Sequence, residues 1–189
     1  IYTLSLHDAL PISIDTTVAA LAADNSGSNN IQINETDALA LNLVNDGAGN
    51  TIVIDAGGAI TDNNAGVNNV VGNIAILRAA GGIGATDEIE TSVATLTAIS
   101  TAAGNIDIAE VNVIDLLSVT NTSGANQVIA GGALTATSVL TTGGADADDI
   151  TLQGTSIEVD TISATPAGDV FLTATAGAID DAVGNDSTI

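Results

Sequence analysis

Short runs in which every second residue is apolar recur along the chain, each fed by a polar turn residue. They are Asn30-Ile31-Gln32-Ile33, Asn50-Thr51-Ile52-Val53-Ile54, Gly72-Asn73-Ile74-Ala75-Ile76, Gly104-Asn105-Ile106-Asp107-Ile108, Asp149-Ile150-Thr151-Leu152 and Gly168-Asp169-Val170-Phe171-Leu172. Alternation with a period of two is the signature of a strand with one buried face. Apolar residues of these runs are therefore expected to face a core, with Gln32, Ala75, Asp107 and Thr151 outward. Ser13 to Asp24 and the triplet Leu39, Leu41 and Leu43 read as further strands, separated by turn-forming Asn, Asp, Ser and Gly clusters. The run starts Ile31, Ile52, Ile74, Ile106, Val128, Ile150 and Val170 lie mostly 20 to 22 residues apart, with a longer gap from Ile74 to Ile106. That period suits one coil of a β-solenoid. The pattern predicts an all-β, parallel solenoid of about eight coils over residues 13–189, near 40 Å long at roughly 4.8 Å per coil.

Repeats at longer range support whole stacked units. Thr16–Leu41 aligns without gaps on Thr91–Leu116 at an offset of 75, with 10 identities in 26 positions, among them Val18/Val93, Leu21/Leu96, Asn30/Asn105, Ile31/Ile106, Ile33/Ile108 and Glu35/Glu110. Gly58–Asp62 echoes Gly177–Asp181 at an offset of 119. The two offsets differ by 44 residues, which is two coils of about 22. Asn30, Asn73 and Asn105 recur at equivalent places, which predicts stacked Asn ladders.

Composition narrows the function classes. The chain has 189 residues, with 20 Gly, no Cys, no Met and no Trp. Its apolar 46% must come mainly from Ala, Val, Ile and Leu, which suits many thin coils on a narrow core. Net charge is −22, from 23 acids against one cation, Arg78. Such a surface repels phosphate backbones, so no nucleic-acid partner and no anionic-lipid docking are expected. No apolar run approaches the roughly 18 residues of a membrane-spanning helix, and no membrane insertion is expected.

Ile1 to Ile12 (IYTLSLHDALPI) stands apart from the repeats. It resembles, residue for residue, the conceptual translation of a standard short-read sequencing adapter. Residues 1–12 are accordingly read as an adapter-derived artefact, unstructured or an edge strand, and the genuine product is expected to continue upstream. His7, Tyr2 and Pro11 leave the functional argument with that segment, and with His7 goes the chain's one histidine.

From Ile14 onward the chain resembles the repeat region of large bacterial exoproteins, the filamentous-haemagglutinin-like adhesins and autotransporter passengers. The resemblance rests on Ala56-Gly57-Gly58-Ala59-Ile60-Thr61-Asp62, Gly81-Gly82-Ile83-Gly84, Glu90-Thr91-Ser92-Val93 and Gly104-Asn105-Ile106-Asp107-Ile108. It implies a right-handed parallel β-helix, export to the cell surface or beyond, and an adhesive or stalk role. Partners would be a host or neighbouring-cell surface ligand or glycan, and adjacent solenoid coils of the parent protein. A surface-layer or biofilm-matrix structural protein is the near alternative. Neither end carries an obvious cap, so the chain is expected to be a piece of something longer.

Candidate chemistry is sparse. Gly143-Gly144-Ala145-Asp146-Ala147-Asp148-Asp149 is similar to a calcium-binding Gly-Gly-x-Gly-x-Asp nonapeptide, making Asp146, Asp148 and Asp149 the candidate Ca2+ ligands. The motif departs at Asp146, where Gly is expected, and occurs once, whereas such sites share ions between tandem turns. An ordinary acidic turn is the competing reading. Gly82-Ile83-Gly84 lacks the third glycine of a nucleotide loop and reads as a turn. Asp87, Glu88 and Glu90 read as a solvated turn with Arg78 nearby as a surface ion pair. Parallel β-helices also host polysaccharide lyases and hydrolases, so scaffold coils of a carbohydrate-active enzyme are the different-class alternative. A lyase wants cationic subsites and a hydrolase two spaced carboxylates with aromatics. This chain offers one Arg and Phe171, and the adjacent pairs Asp148-Asp149 and Asp180-Asp181 point to opposite faces if they lie in strands. No catalytic residues are assigned, and no catalytic activity is expected of these coils.

Overall fold

The computed structural model describes residues 2–5, 12–25, 29–47, 49–164 and 167–182. Nineteen strands follow one another, with no helix among the described residues. They are β1 (Tyr2–Ser5), β2 (Ile12–Thr16), β3 (Ala20–Asp24), β4 (Ile31–Glu35), β5 (Leu39–Asn45), β6 (Thr51–Ala56), β7 (Ile60–Asp62), β8 (Val70–Val71), β9 (Ile74–Ala79) and β10 (Ile89–Ser92). Then come β11 (Thr95–Ala103), β12 (Ile106–Glu110), β13 (Ile114–Ser123), β14 (Asn126–Ala130), β15 (Leu134–Thr141), β16 (Ile150–Gly154), β17 (Ile157–Ala164), β18 (Val170–Ala174) and β19 (Ile179–Asp181). Successive strands alternate between two parallel sheets. The first runs β1-β3-β5-β8-β10-β12-β14-β16-β18 with β7 also paired to β5, and the second runs β2-β4-β6-β9-β11-β13-β15-β17-β19. The result is a β-solenoid of about eight turns. Of the adapter-like segment, residues 2–5 form β1 against β3 and Ile12 begins β2 against β4; residue 1, residues 6–10 and Pro11 lie outside the described residues.

The core consists of columns that run along the axis. In the second sheet Ile31, Ile52, Ala75, Leu96, Leu116, Ala136 and Val159 lie in register from coil to coil. A parallel column carries Ile33, Ile54, Leu77, Ala98, Val119, Val139 and Ile162. All are buried. In the first sheet Ile89, Ile108, Val128, Leu152 and Leu172 make the corresponding stack. Each aliphatic side chain thus meets its counterpart one strand spacing away, which is how a core without bulky aromatics closes.

The repeat motif changes sheet halfway along the molecule. The runs beginning at Ile31, Ile52 and Ile74 belong to the second sheet, whereas those at Ile106, Ile150 and Val170 belong to the first. The long gap from Ile74 to Ile106 spans β10 and β11, so the pattern re-enters one and a half coils later. The same shift explains both long-range echoes. Glu35 closes β4 in the second sheet and Glu110 closes β12 in the first, three and a half coils on. Ile60 in β7 and Ile179 in β19 are likewise on opposite sheets, five and a half coils apart. Both offsets are odd numbers of half-coils, and their 44-residue difference is two full ones.

Two expected facings are corrected. Ala75 points inward and is fully buried, while Ile74 and Ile76 are only half-buried on the outer side. The register decides this: Ala75 sits opposite Ile52 and Leu77 opposite Ile54, and a one-residue slip exchanges the faces of an entire strand. Leu43 is 38% exposed, and Val44 takes the inward place. The pairing of β3 with β5 slips between Leu21/Leu41 and Ala23/Val44, so β5 holds one extra residue there. The stretch Ser13 to Asp24 divides into β2 and β3, on different sheets, around a corner at Thr17–Ala19.

The first sheet is interrupted in two successive coils. Ile60 to Asp62 pairs with Leu39 to Leu41, and Val70–Val71 resumes against Val44–Asn45, leaving residues 63–69 as an excursion from the outer face. In the next coil Ile83 bridges both Ile60 and Ile106, and the strand resumes only at Ile89. Gly84 makes this second departure, with φ +71° and a position where a Cβ would lie 2.2 Å from the Asp107 carbonyl oxygen.

Candidate functional site

The acidic corner between β15 and β16 was the one metal candidate in the sequence. There the three aspartates diverge. Asp148 is buried, and its carboxylate accepts hydrogen bonds from the backbone N–H groups of Gly124 (2.6 Å) and Ala145 (2.9 Å). Its own carbonyl accepts from the Thr141 hydroxyl at 2.9 Å. A Cβ at Gly143 would collide with Asp148 Oδ2 at 2.0 Å, so the glycine that resembled a calcium motif makes room for this carboxylate. Asp149 accepts from the Asp169 N–H at 2.8 Å, one coil further, and Asp146 is exposed. Among the described residues no three acidic side chains are grouped to hold one metal ion. What the corner does chemically is satisfy backbone donors where the coil turns.

Carboxylates perform the same task elsewhere, at positions sequence reasoning did not assign. Glu110 Oε2 accepts from the Thr91 hydroxyl (2.8 Å) and the Val93 N–H (2.9 Å), and Oε1 accepts from the Asn112 N–H (2.9 Å). Glu35 Oε2 accepts from the Thr16 hydroxyl and the Val18 N–H, and Oε1 from the Thr36 N–H. The signal was present in the echo of Thr16-x-Val18 and Glu35 by Thr91-x-Val93 and Glu110. The two glutamates titrate in opposite directions. Burial dominates at Glu110, in the middle of the stack, and raises its pKa above the ordinary 4.5 despite its hydrogen bonds. Burial also raises Glu35, but near the end of the stack the hydrogen bonds from Thr16, Val18 and neighbouring amides outweigh it, and the pKa is lowered. Asp46 is fully buried at the corner after β5, where Asn25 Nδ2 donates to Oδ1 at 3.1 Å and Oδ2 has no partner. Burial pushes its pKa from 3.8 to about 6.

The predicted Asn ladder divides between two corners. Asn30 Oδ1 accepts from the Thr51 N–H (3.0 Å) and Asn105 Oδ1 from the Ala125 N–H (3.1 Å), each reaching one coil along. Asn73 shares the corner column of Asn30, with Asn50 between them, whereas Asn105 lies on the other corner.

The expected grouping of Arg78 with Asp87, Glu88 and Glu90 is not formed. Arg78 lies on the outer face of the second sheet and pairs with Asp55 at 2.9 Å, both half-exposed. Glu90 lies on the first sheet and is only 8% exposed, beneath the excursion of residues 63–69. It is a covered carboxylate and no part of a solvated turn. In Gly82-Ile83-Gly84, Ile83 is buried and bridges Ile60 and Ile106 within the first sheet, and the chain turns away at Gly84. A shallow groove of about 470 Å³ runs along a corner column, between the exposed side chains of Val111 and Val113 and the bare backbone of Gly131 and Gly132. No protein family, curated protein or solved structure matches the chain.

Proposed function

We propose that residues 13–189 are a structural repeat segment of a secreted or surface-displayed bacterial adhesin, whose work is to extend and display. The observation that carries this is the core: two columns of aliphatic residues on the inner face of the second sheet, in register from Ile31 to Val159 and from Ile33 to Ile162, that build length coil by coil. Exposed positions are mostly short and polar, and the polar side chains buried at the corners serve the backbone. That division of labour suits a spacer, which needs rigidity along one axis and a soluble acidic flank. Any ligand, a cell-surface glycan or protein of a host or neighbouring cell, would meet the outer sheet faces, and further coils of the parent protein would stack on the ends.

The test is to display residues 13–189 on bacteria between an outer-membrane anchor and a terminal epitope, in versions with one coil fewer and one coil more. Epitope reach and cell adhesion should follow coil number, and no single outward substitution should abolish either. Hydrolysis or elimination of polysaccharide by residues 13–189 alone would overturn the spacer reading in favour of a carbohydrate-active enzyme.

A further inference from the structure

The covered carboxylate of Glu90 shares with Asp46 a buried oxygen without a partner, but it lies on an outer sheet face and not at a corner. Its side chain is more than nine-tenths buried on the outer face of the first sheet, and Oε2 has no hydrogen-bond partner. A side chain at Gly66 would come within 3.8 Å of Oε1, so the roof over this carboxylate is the first excursion. That excursion is latched to the strand beneath by its last residue. The Asn69 N–H donates to the Glu90 carbonyl (2.7 Å), and the Glu90 N–H donates to Asn69 Oδ1 (2.9 Å). Asn69 Nδ2 in turn donates to Asp62 Oδ1 (2.6 Å) and to the Leu41 carbonyl (3.0 Å). Asp62 holds the tip by accepting from the Asn64 and Ala65 N–H groups.

The charges facing Glu90 are all of its own sign. Asp62 approaches from the excursion, and Asp87 and Glu88 from the segment just before β10. Asp107, on β12, completes the face and feels the same two acids. An ionised Glu90 would hold a covered negative charge whose Oε2 has no donor and which has like charges around it, a costly arrangement for a carboxylate. No three acids among the described residues are placed to share a metal ion, so a proton is the neutralising partner this geometry supports.

We propose that Glu90 makes the 63–69 excursion a pH-operated latch: the excursion is seated over a protonated Glu90 and lifts off the outer face of the first sheet when that carboxyl ionises. Lifting uncovers Glu90 beside Asp87, Glu88 and Asp107 and presents a continuous acidic face on the two central coils. Burial, helped by Asp62, Glu88 and Asp87 and opposed by the Glu90 backbone N–H, raises the Glu90 pKa in the seated state. A raised carboxyl pKa stabilises the seated form below the ordinary 4.5, and the gain is lost as pH rises through the seated-state value. The inference concerns a movable element on the outer face and stands whether or not the segment serves as a spacer.

Hydrogen exchange tests it directly. The amides of Ala65, Asn69 and Glu90, corrected for intrinsic base catalysis, should lose protection several-fold between pH 5 and pH 8, while those of Ile106 to Glu110 keep theirs. Glu90→Gln should hold the three amides at their acid-state protection at both pH values. Because the chain has no cysteine, Val67→Cys at the exposed tip can carry a spin label. The label should gain mobility over the same pH range, and the midpoint should move to lower pH in Asp87→Asn/Glu88→Gln, which removes two charges that raise the Glu90 carboxyl. Equal protection and label mobility at pH 5 and pH 8, or pH dependence that survives in Glu90→Gln, would overturn the latch. So would re-seating by millimolar calcium at pH 8, which would make the device a cation site.

Discussion

Asp46 and Glu110 show two ways in which a carboxylate lives inside a solenoid corner. Glu110 meets three donors and serves each of them, so truncation leaves the Val93 and Asn112 N–H groups without acceptors and the Thr91 hydroxyl with only the Ala109 carbonyl at 3.5 Å. Glu110→Ala should cost about 2–4 kcal/mol in urea unfolding. Glu35→Ala should cost less, because its partners lie near the end of the stack, where the coil relaxes at smaller expense. Asp46 meets one donor and carries an unpartnered oxygen. Its pKa of about 6 in the fold, against an ordinary 3.8, fixes the sign of its contribution. Below pH 3.8 the carboxyl is neutral in both states and costs nothing; stability falls as pH rises towards 6, and the full cost persists above it. Asp46→Asn should therefore raise stability at pH 7.5 by up to about 3 kcal/mol, with the gain vanishing near pH 4 in thermal melts.

At the scale of strands and coils, the half-coil shift makes the two sheets interchangeable. Thr16–Leu41 runs from the second sheet to the first, and Thr91–Leu116 from the first to the second, with the same Thr, Val and Glu clasp at the corner. Replacing Thr16–Leu41 by Thr91–Leu116 should leave the circular dichroism spectrum unchanged and yield a cooperative melt. Strand existence and coil length were legible in the sequence because alternation is local, whereas this clasp was only an echo there, because each Glu lies a coil away from the Thr and Val it holds. Facing was less legible. Ala75 faces inward because β6 and β11 hold β9 in register from both sides, a constraint its own run Ile74-Ala75-Ile76 does not contain. The Gly143 to Asp149 stretch admits both an ordinary acidic turn and a calcium site, because acids and glycines in one turn suit either. Only the distance to the Gly124 N–H, a coil away, shows that the carboxylate of Asp148 answers the backbone. Glu90 read as solvated because the excursion that covers it lies some twenty residues earlier in the chain.

Over the whole molecule, a charge of −22 must coexist with coils one strand spacing apart. Several acids avoid stacking on acids by meeting an amide one coil away. Asn34 donates to Asp15 (2.8 Å), Asn45 to Asp24 (3.3 Å), Asn25 to Asp46 (3.1 Å) and Gln127 to Asp107 (3.0 Å). Residual repulsion is long-ranged and should be screened by salt, so the melting temperature at pH 7.5 should rise between low ionic strength and 0.5 M NaCl, a range over which the Debye length falls from ~30 Å towards a few ångströms. The pH profile should be bell-shaped. Asp46, Glu90, Asp107 and Glu110 have raised pKa values and gain stability as pH falls through them. Glu35 and Asp62 have lowered values and lose stability as pH falls below the ordinary carboxylate range. Maximum stability is expected within the ordinary carboxylate range, at about pH 4.

The sheet exchange at mid-length also sets direction. Because a motif of the same kind can occupy either sheet, this chain can be lengthened in steps of one strand and one corner as well as in full turns. A full step moves everything beyond it along the axis, whereas a half step also swings it through half a revolution. A decoration such as the 63–69 excursion would then emerge on the opposite flank of the rod, with its own residues unaltered. Inserting about eleven residues upstream of it changes what neighbouring surfaces meet, so the azimuth of display is encoded in the parity of half-coils.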